Sequence, residues 1–162
     1  MTVQPGAIHK IQGTQMVDNG ICVIVSGGRD YGEIDRMWKL LDNIHGIRHI
    51  GLLCHGACKY GGADLHAENW AKSREVDYLG MPAKFTTQGP SGGPQRNAGL
   101  LKYCDPDLVL CFPGGAGTAD MLKKARKAGV WTIDLSGKYS INRRKLLALG
   151  RESNGNTGSS DP

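Results

Sequence analysis

The chain has 162 residues, 40% of them hydrophobic and 22% charged, proportions ordinary for a soluble globular protein and sufficient for one α/β domain with a full core. A net charge of +5 and a pI near 9.0 are compatible with anionic ligands but too mild to demand nucleic acid. No apolar run approaches the roughly 18 residues of a membrane span, and Met1–Gln15 lacks a basic start followed by an apolar segment, so a cytoplasmic protein without an export signal is expected.

Residues 1–20 hold Pro5, Gly6, Gly13 and Asn19 without sustained periodicity and read as an extended lead-in. A single domain is expected over 21–150. Ile21–Val25 is a continuous β-branched and apolar run, the pattern of a strand covered on both faces. A helix from Glu33 carries Ile34, Met37, Leu40, Leu41 and Ile44 on one face, with Gly46 closing it. His49–Leu53 reads as a second buried strand, and a helix from Ala63 to about Arg74 turns Leu65, Ala67, Trp70 and Ala71 towards the sheet. Val76–Met81 reads as a third, short strand. Residues 82–94 are rich in proline and glycine and read as a long loop, of the kind that is usually functional or mobile. A helix from about Pro94 to Tyr103 follows, with proline suited to its first turn. Asp107–Phe112 is the next strand; its helix buries Met121, Leu122 and Ala125 and exposes Lys123, Lys124, Arg126 and Lys127. Val130–Leu135 is the last strand, Asn142–Leu149 a short basic helix, and 151–162 a polar tail expected to be disordered. The alternation of strand and helix predicts a Rossmann-like three-layer α/β sandwich with a mostly parallel sheet.

Glycine makes up 24 of the 162 residues, about double the usual share. It clusters after the expected strands, in Gly27–Gly32, Gly56–Gly62 and Gly114–Gly117. Ligands of open α/β sheets bind at the carboxyl ends of strands. Backbone without Cβ atoms approaches a ligand closely there, and a helix N-terminus adds unpaired N–H groups and partial positive charge. Leu108–Asp120 has this order of apolar strand, glycine turn and helix start, which makes a phosphate seat. Neither G-x-G-x-x-G in the first loop nor G-x-x-x-x-G-K-[ST] is present, so the standard dinucleotide fingerprint and the P-loop are both excluded.

Four motifs in order carry a resemblance: Val25–Tyr31; His55-Gly56 with Gly62-Ala63-Asp64 and Trp70-Ala71; Gly93–Ala98; and Phe112–Met121. Together they resemble the YspA, cpYpsA-related branch of the SLOG superfamily, which includes the LOG cytokinin-activating phosphoribohydrolases and the DprA DNA-processing proteins. The resemblance implies a Rossmann-like fold and a nucleotide-type ligand. It also implies a homo-oligomer, since LOG-like proteins commonly form dimers, and it admits a phage origin, since small members of the branch occur in phage genomes. No cofactor is expected.

The candidate ligand-binding residues are Gly27, Gly28, Arg29, Asp30, His55, Gly56, Asp64, Arg96, Asn97, Pro113, Gly114, Gly115, Gly117 and Thr118. By resemblance, the arginine that supports cleavage of a nucleoside monophosphate in LOG enzymes is Arg96. Asn97 replaces the following lysine, and Met121 stands where the LOG glutamate is expected, with Asp120 one position earlier. Arg96 and Asp120 are therefore the catalytic candidates for the alternative reading, LOG-like hydrolysis of an N-glycosidic bond, which needs a carboxylate near the ribose. Asp120 could equally complement the charge of its helix N-terminus, Asp64 could cap its own helix, and Arg29 and Asp30 could pair on the surface. Tyr31 could stack on a base or cover the sheet edge. DprA-like binding of single-stranded DNA is a further alternative, weakened by the few aromatics available for stacking. Cys54-His55-x-x-Cys58 has no second cluster at metal-site spacing, so no metal is expected. Lys59-Tyr60 lengthens this loop beyond the usual H-G-G-A-x-G-A-D form. The five cysteines read as reduced thiols, with Cys22 and Cys111 in strands.

Overall fold

Five strands, Ile21–Ser26 (β1), Ile50–His55 (β2), Asp77–Gly80 (β3), Leu108–Cys111 (β4) and Trp131–Asp134 (β5), form one sheet in the order β3-β2-β1-β4-β5. Every pairing is parallel. The computed structural model describes residues 19–149; all but the last two residues of the expected lead-in, and the whole polar tail, lie outside them.

β1 is central because its sequence tolerates no water on either face. Ile21, Val23 and Val25 point into a cluster with Met37, Leu40, Leu41 and Ile44 from α1 (Ile34–Ile47), Ala67 and Trp70 from α2 (Gly62–Ser73), and Leu146 from α6 (Arg143–Ala148). Cys22 and Ile24 point the other way, into a cluster with Leu100 and Cys104 from α4 (Gly92–Cys104) and Met121 and Ala125 from α5 (Ala116–Lys127). The two-residue side-chain period thus divides one strand between two helical layers. Each valine, leucine, isoleucine or methionine side chain among them, buried fully, stabilises the fold by about 1.5–3 kcal/mol. The result is a three-layer, Rossmann-like α/β sandwich, with an all-parallel sheet where a mostly parallel one was expected.

Four local expectations are corrected. Residues 82–94 are not a structureless loop: α3 (Phe85–Gln88) and a 3-10 turn (Gly89–Ser91) run directly into α4, which begins two residues before Pro94. Gly92 permits this, since an added Cβ there would lie 3.0 Å from the Lys84 carbonyl carbon. Leu65 and Ile34 are exposed rather than facing the sheet, because each lies outside the arc of its helix that meets the core. Leu122 is only half-buried, at the margin of the second cluster. Lys124, expected to be exposed, is half-buried because it folds back onto Asp120. The basic helix α6 begins where the sequence places it, with the Asn142 Oδ1 accepting the Lys145 N–H at 3.0 Å.

All five cysteines are free thiols. Four are buried, and Cys22 Sγ lies 3.9 Å from Cys54 Sγ inside the second cluster. Trp38 and Trp131 pack partly against the first cluster, and Trp38 donates Nε1–H to the His66 carbonyl at 3.1 Å. Among the described residues, no helix is long and apolar enough to cross a membrane.

Candidate functional site

The strand order sets the position of the site. β1 and β4 are neighbours, yet the chain leaves β1 for α1 in one layer and β4 for α5 in the other. The two loops therefore part at the carboxyl edge, which is where open α/β sheets have their crevice. They part only after being tied together: Phe112 N–H donates to the Ser26 carbonyl at 2.8 Å and Gly28 N–H to the Pro113 carbonyl at 2.9 Å. An added Cβ at Gly27 would lie 2.5 Å from Ala63 Cβ, and one at Gly28 3.0 Å from the Pro113 oxygen. A Cβ at Gly114 would collide with Thr118 Oγ1 and lie 2.7 Å from the Gly28 nitrogen. These glycines let the three loops pack on one another.

That packing redistributes the expected donors. The Gly28 N–H is already engaged, so it is not an anion donor. The first turn of α5 differs: its N-cap Gly115 makes no side-chain cap, and helix geometry leaves the leading N–H groups without intrahelical partners. Gly115 and Gly117 have no atom within 4 Å of where a Cβ would stand, so this turn faces open space. Pro113 is half-buried, Gly114, Gly115 and Gly117 are exposed, and Thr118 is half-buried behind them.

The β2–α2 loop is braced from within. The His55 side chain is buried; its Nδ1 accepts the Ala57 N–H at 2.9 Å, which leaves the proton on Nε2, 3.0 Å from Glu68 Oε1. Both ring nitrogens are engaged, so His55 shapes the loop and does not face a ligand. Among the described residues no group of acidic, histidine or cysteine side chains is arranged to hold a metal. Asp64 is buried in the first turn of α2, where its Oδ2 accepts the Cys58 N–H at 3.0 Å. Burial pushes its carboxyl above the usual value; the Cys58 N–H, His55 and Arg96 partly offset the rise. Asp64 does not cap its own helix.

Arg96 stands on α4 and reaches across to this loop. Its Nη1 donates to the Gly56 carbonyl and, at 3.4 Å, to the Met81 carbonyl; its Nε donates to Asn97 Oδ1 at 2.9 Å. An added Cβ at Gly56 would collide with the guanidinium, so the glycine is the seat that admits it. Burial lowers its pKa, opposed by the charges of Asp64, Cys58 and Asp120, and the group stays protonated. Among the described residues, Nη2 has no protein partner and is not enclosed.

Asn97 is buried and links α4 to α5. Its Nδ2 donates to the Gly117 carbonyl and to Asp120 Oδ2, both at 3.0 Å, and the other Asp120 oxygen accepts from Lys124. Burial would raise the Asp120 carboxyl, but the hydrogen bonds from Lys124 and Asn97 outweigh it and hold the group below its ordinary value. Both oxygens of the acid are engaged, as a brace between helices.

Thus Arg96, Asn97 and Asp120 form one connected row ending at the α5 N-terminus, and Gly27 and Gly28 abut Pro113 and Gly114. Asp30 is exposed and makes no ion pair with Arg29, whose guanidinium lies 5.4 Å from the Tyr60 ring centroid. Tyr31 covers the sheet edge: it is buried, packs against Phe112 at 5.3 Å, and donates its hydroxyl to the Glu33 carbonyl. The sequence reading missed Glu68, Lys124 and the Met81 carbonyl. Only the Asp120–Lys124 pair had a local signal, its helical i,i+4 spacing. Tyr60, Phe85 and Tyr103 are exposed aromatics, more than composition led one to expect. Tyr103, at the C-terminal end of α4, lies at the sheet's opposite edge from the other two.

No curated protein matches the chain. The β1–β3 half of the sheet, with α1 and α2, carries the family signal, and the match stops before Arg96 and the Pro113–Thr118 turn. Residues 21–87 match the family model described as the YspA, cpYpsA-related SLOG family, so over this stretch the chain is similar to that branch of the SLOG superfamily.

Proposed function

We propose that the protein binds a nucleotide or nucleotide-derived small molecule in the crevice between the β1 and β4 loops. The observation that carries this reading is convergence at one sheet edge: the uncapped first turn of α5 and the open Nη2 of Arg96, joined through Asn97. In this reading the Gly114–Thr118 turn holds a phosphate by backbone N–H groups and helix dipole. Arg96 adds a charge-assisted contact, and Arg29 and Asp30 border the ribose or a second phosphate. Gly27, Gly28, Gly56 and Asn97 act by setting these loops in place. The match of residues 21–87 to a SLOG family supports a ligand of nucleotide type at this coarse level.

Binding, not hydrolysis, is the reading adopted. LOG-like cleavage asks for a carboxylate directed at the ribose, whereas both Asp120 oxygens are held by Asn97 and Lys124. DprA-like binding of DNA asks for a row of stacking aromatics, and among the described residues only Tyr60 and Phe85 are exposed on elements at the carboxyl edge. Titration calorimetry with AMP, ADP, ADP-ribose, NAD and cyclic nucleotides tests the proposal. At least one should bind, and Arg96→Ala should weaken it; no heat from any of them with folded protein overturns the reading. The resemblance to LOG-like proteins extends the proposal to a homo-oligomer, whose mass light scattering reads directly.

A further inference from the structure

Tyr60 is 63% exposed and stands at the tip of the β2–α2 loop, on the two-residue extension of that loop. The loop is held firmly beneath it: Gly61 N–H donates to the Cys58 carbonyl at 3.1 Å, Asp64 accepts from the Cys58 N–H, and Ala63 N–H donates to the Gly28 carbonyl at 3.1 Å. Gly62, at φ +66°, sits so close to Arg29 that a Cβ would lie 2.5 Å from the Arg29 carbonyl. A rigid loop therefore presents an exposed aromatic ring beside the β1 loop. Two cations attend that ring, Arg29 at 5.4 Å and Lys59 at 5.0 Å from its centroid. Among the described residues Tyr60 joins neither core cluster, so core packing does not explain a large apolar ring in this place.

We propose that Tyr60 is the stacking platform for the base of the bound nucleotide, with Arg29 and Lys59 turning from the ring to the ligand's phosphates. This deepens the nucleotide reading and rests on it. An aromatic base matches the ring face, and a phosphate is a stronger partner for a guanidinium than an exposed ring is, because a charge-assisted hydrogen bond exceeds a solvated cation–π contact. The ligand class is thereby narrowed to intact nucleotides with an aromatic base; a bare sugar phosphate fills only part of the site.

The test is calorimetry of ADP and of ribose 5-phosphate with the full chain and its Tyr60→Ala and Tyr60→Phe variants, melting curves serving as the control for folding. Stacking of one base on one aromatic is expected to change affinity by about fivefold to a hundredfold. Tyr60→Ala should weaken ADP within that range and leave ribose 5-phosphate unchanged, while Tyr60→Phe should retain ADP affinity. Equal effects on both ligands, or none on ADP, overturn the platform and leave the crevice standing. Failure of ADP to bind the parent chain while ribose 5-phosphate binds overturns the platform as well. Failure of every nucleotide overturns the crevice and the platform together.

Discussion

Gly56→Ala isolates the seat of Arg96, because the three atoms nearest to the added methyl all belong to that guanidinium. Gly56 is not in the left-handed region, so alanine is permitted by the backbone and the collision falls on the far end of a flexible side chain. The chain should fold with Arg96 displaced, losing its bonds to the Gly56 and Met81 carbonyls. Hydrogen bonds to charged groups contribute about 1.5–3 kcal/mol. Replacing glycine by alanine returns about 0.4–1 kcal/mol by restricting the unfolded chain. The net cost is thus roughly 1–2 kcal/mol, or about 2–8 °C in Tm for a chain of this size. In an Arg96→Ala background the collision is gone and only the unfolded-state gain remains, so the same substitution should stabilise. Chemical denaturation of the parent, both single variants and the double variant forms the cycle. A Gly56→Ala effect of the same sign and size in both backgrounds would refute the seat.

Glycines that pack loops and glycines that face open space should separate cleanly. Gly62→Ala puts a methyl onto the Gly28 and Arg29 backbone at a positive φ and should cost at least about 2 kcal/mol in urea denaturation. Gly117→Ala meets nothing within 4 Å and should stabilise α5, by up to about 1 kcal/mol, while reducing nucleotide affinity in calorimetry by crowding the phosphate turn. The two carboxyls should titrate on opposite sides of 3.8 by NMR, Asp64 above and Asp120 below. For Asp120, the folded value below 3.8 means stability fully present above that pH and lost as pH falls through the folded value, an acid limb that Asp120→Asn should flatten. For Asp64 the sign is reversed: the folded protein holds the proton more tightly, so this group's contribution rises as pH falls from its folded value to 3.8, and melting curves of Asp64→Asn should lack that rise.

Much of the fold was legible because its signals are local. The unbroken apolar run of β1 announced a strand buried on both faces, and Met37, Leu40, Leu41 and Ile44 are all buried where the helical period put them. The glycine loops were legible as a set at one sheet edge, which the strand order supports. The stretch 82–94 was misread because glycine there serves close contact between α4 and the Lys84-Phe85 backbone, a reason that composition does not display. The partners of His55 and Asp120 were hidden for another reason. Glu68, on α2, and Asn97, on a neighbouring helix, are set by the fold and not by spacing along the chain. Tyr60 was visible only as a loop extension; its exposure and its two cations belong to the folded surface.

The uneven burial of the five thiols has a practical consequence. Cys22, Cys54, Cys104 and Cys111 are buried, and Cys58 alone is half-exposed, two residues before Tyr60. Thiol reagents act on accessible sulfur, so the native chain offers one preferred attachment point for a fluorophore, without any engineered cysteine. A dye there would sit beside the crevice and sense the polarity and mobility of the β2–α2 loop. The chain therefore carries its own reporter position for equilibrium titrations and stopped-flow mixing, independent of any heat of binding.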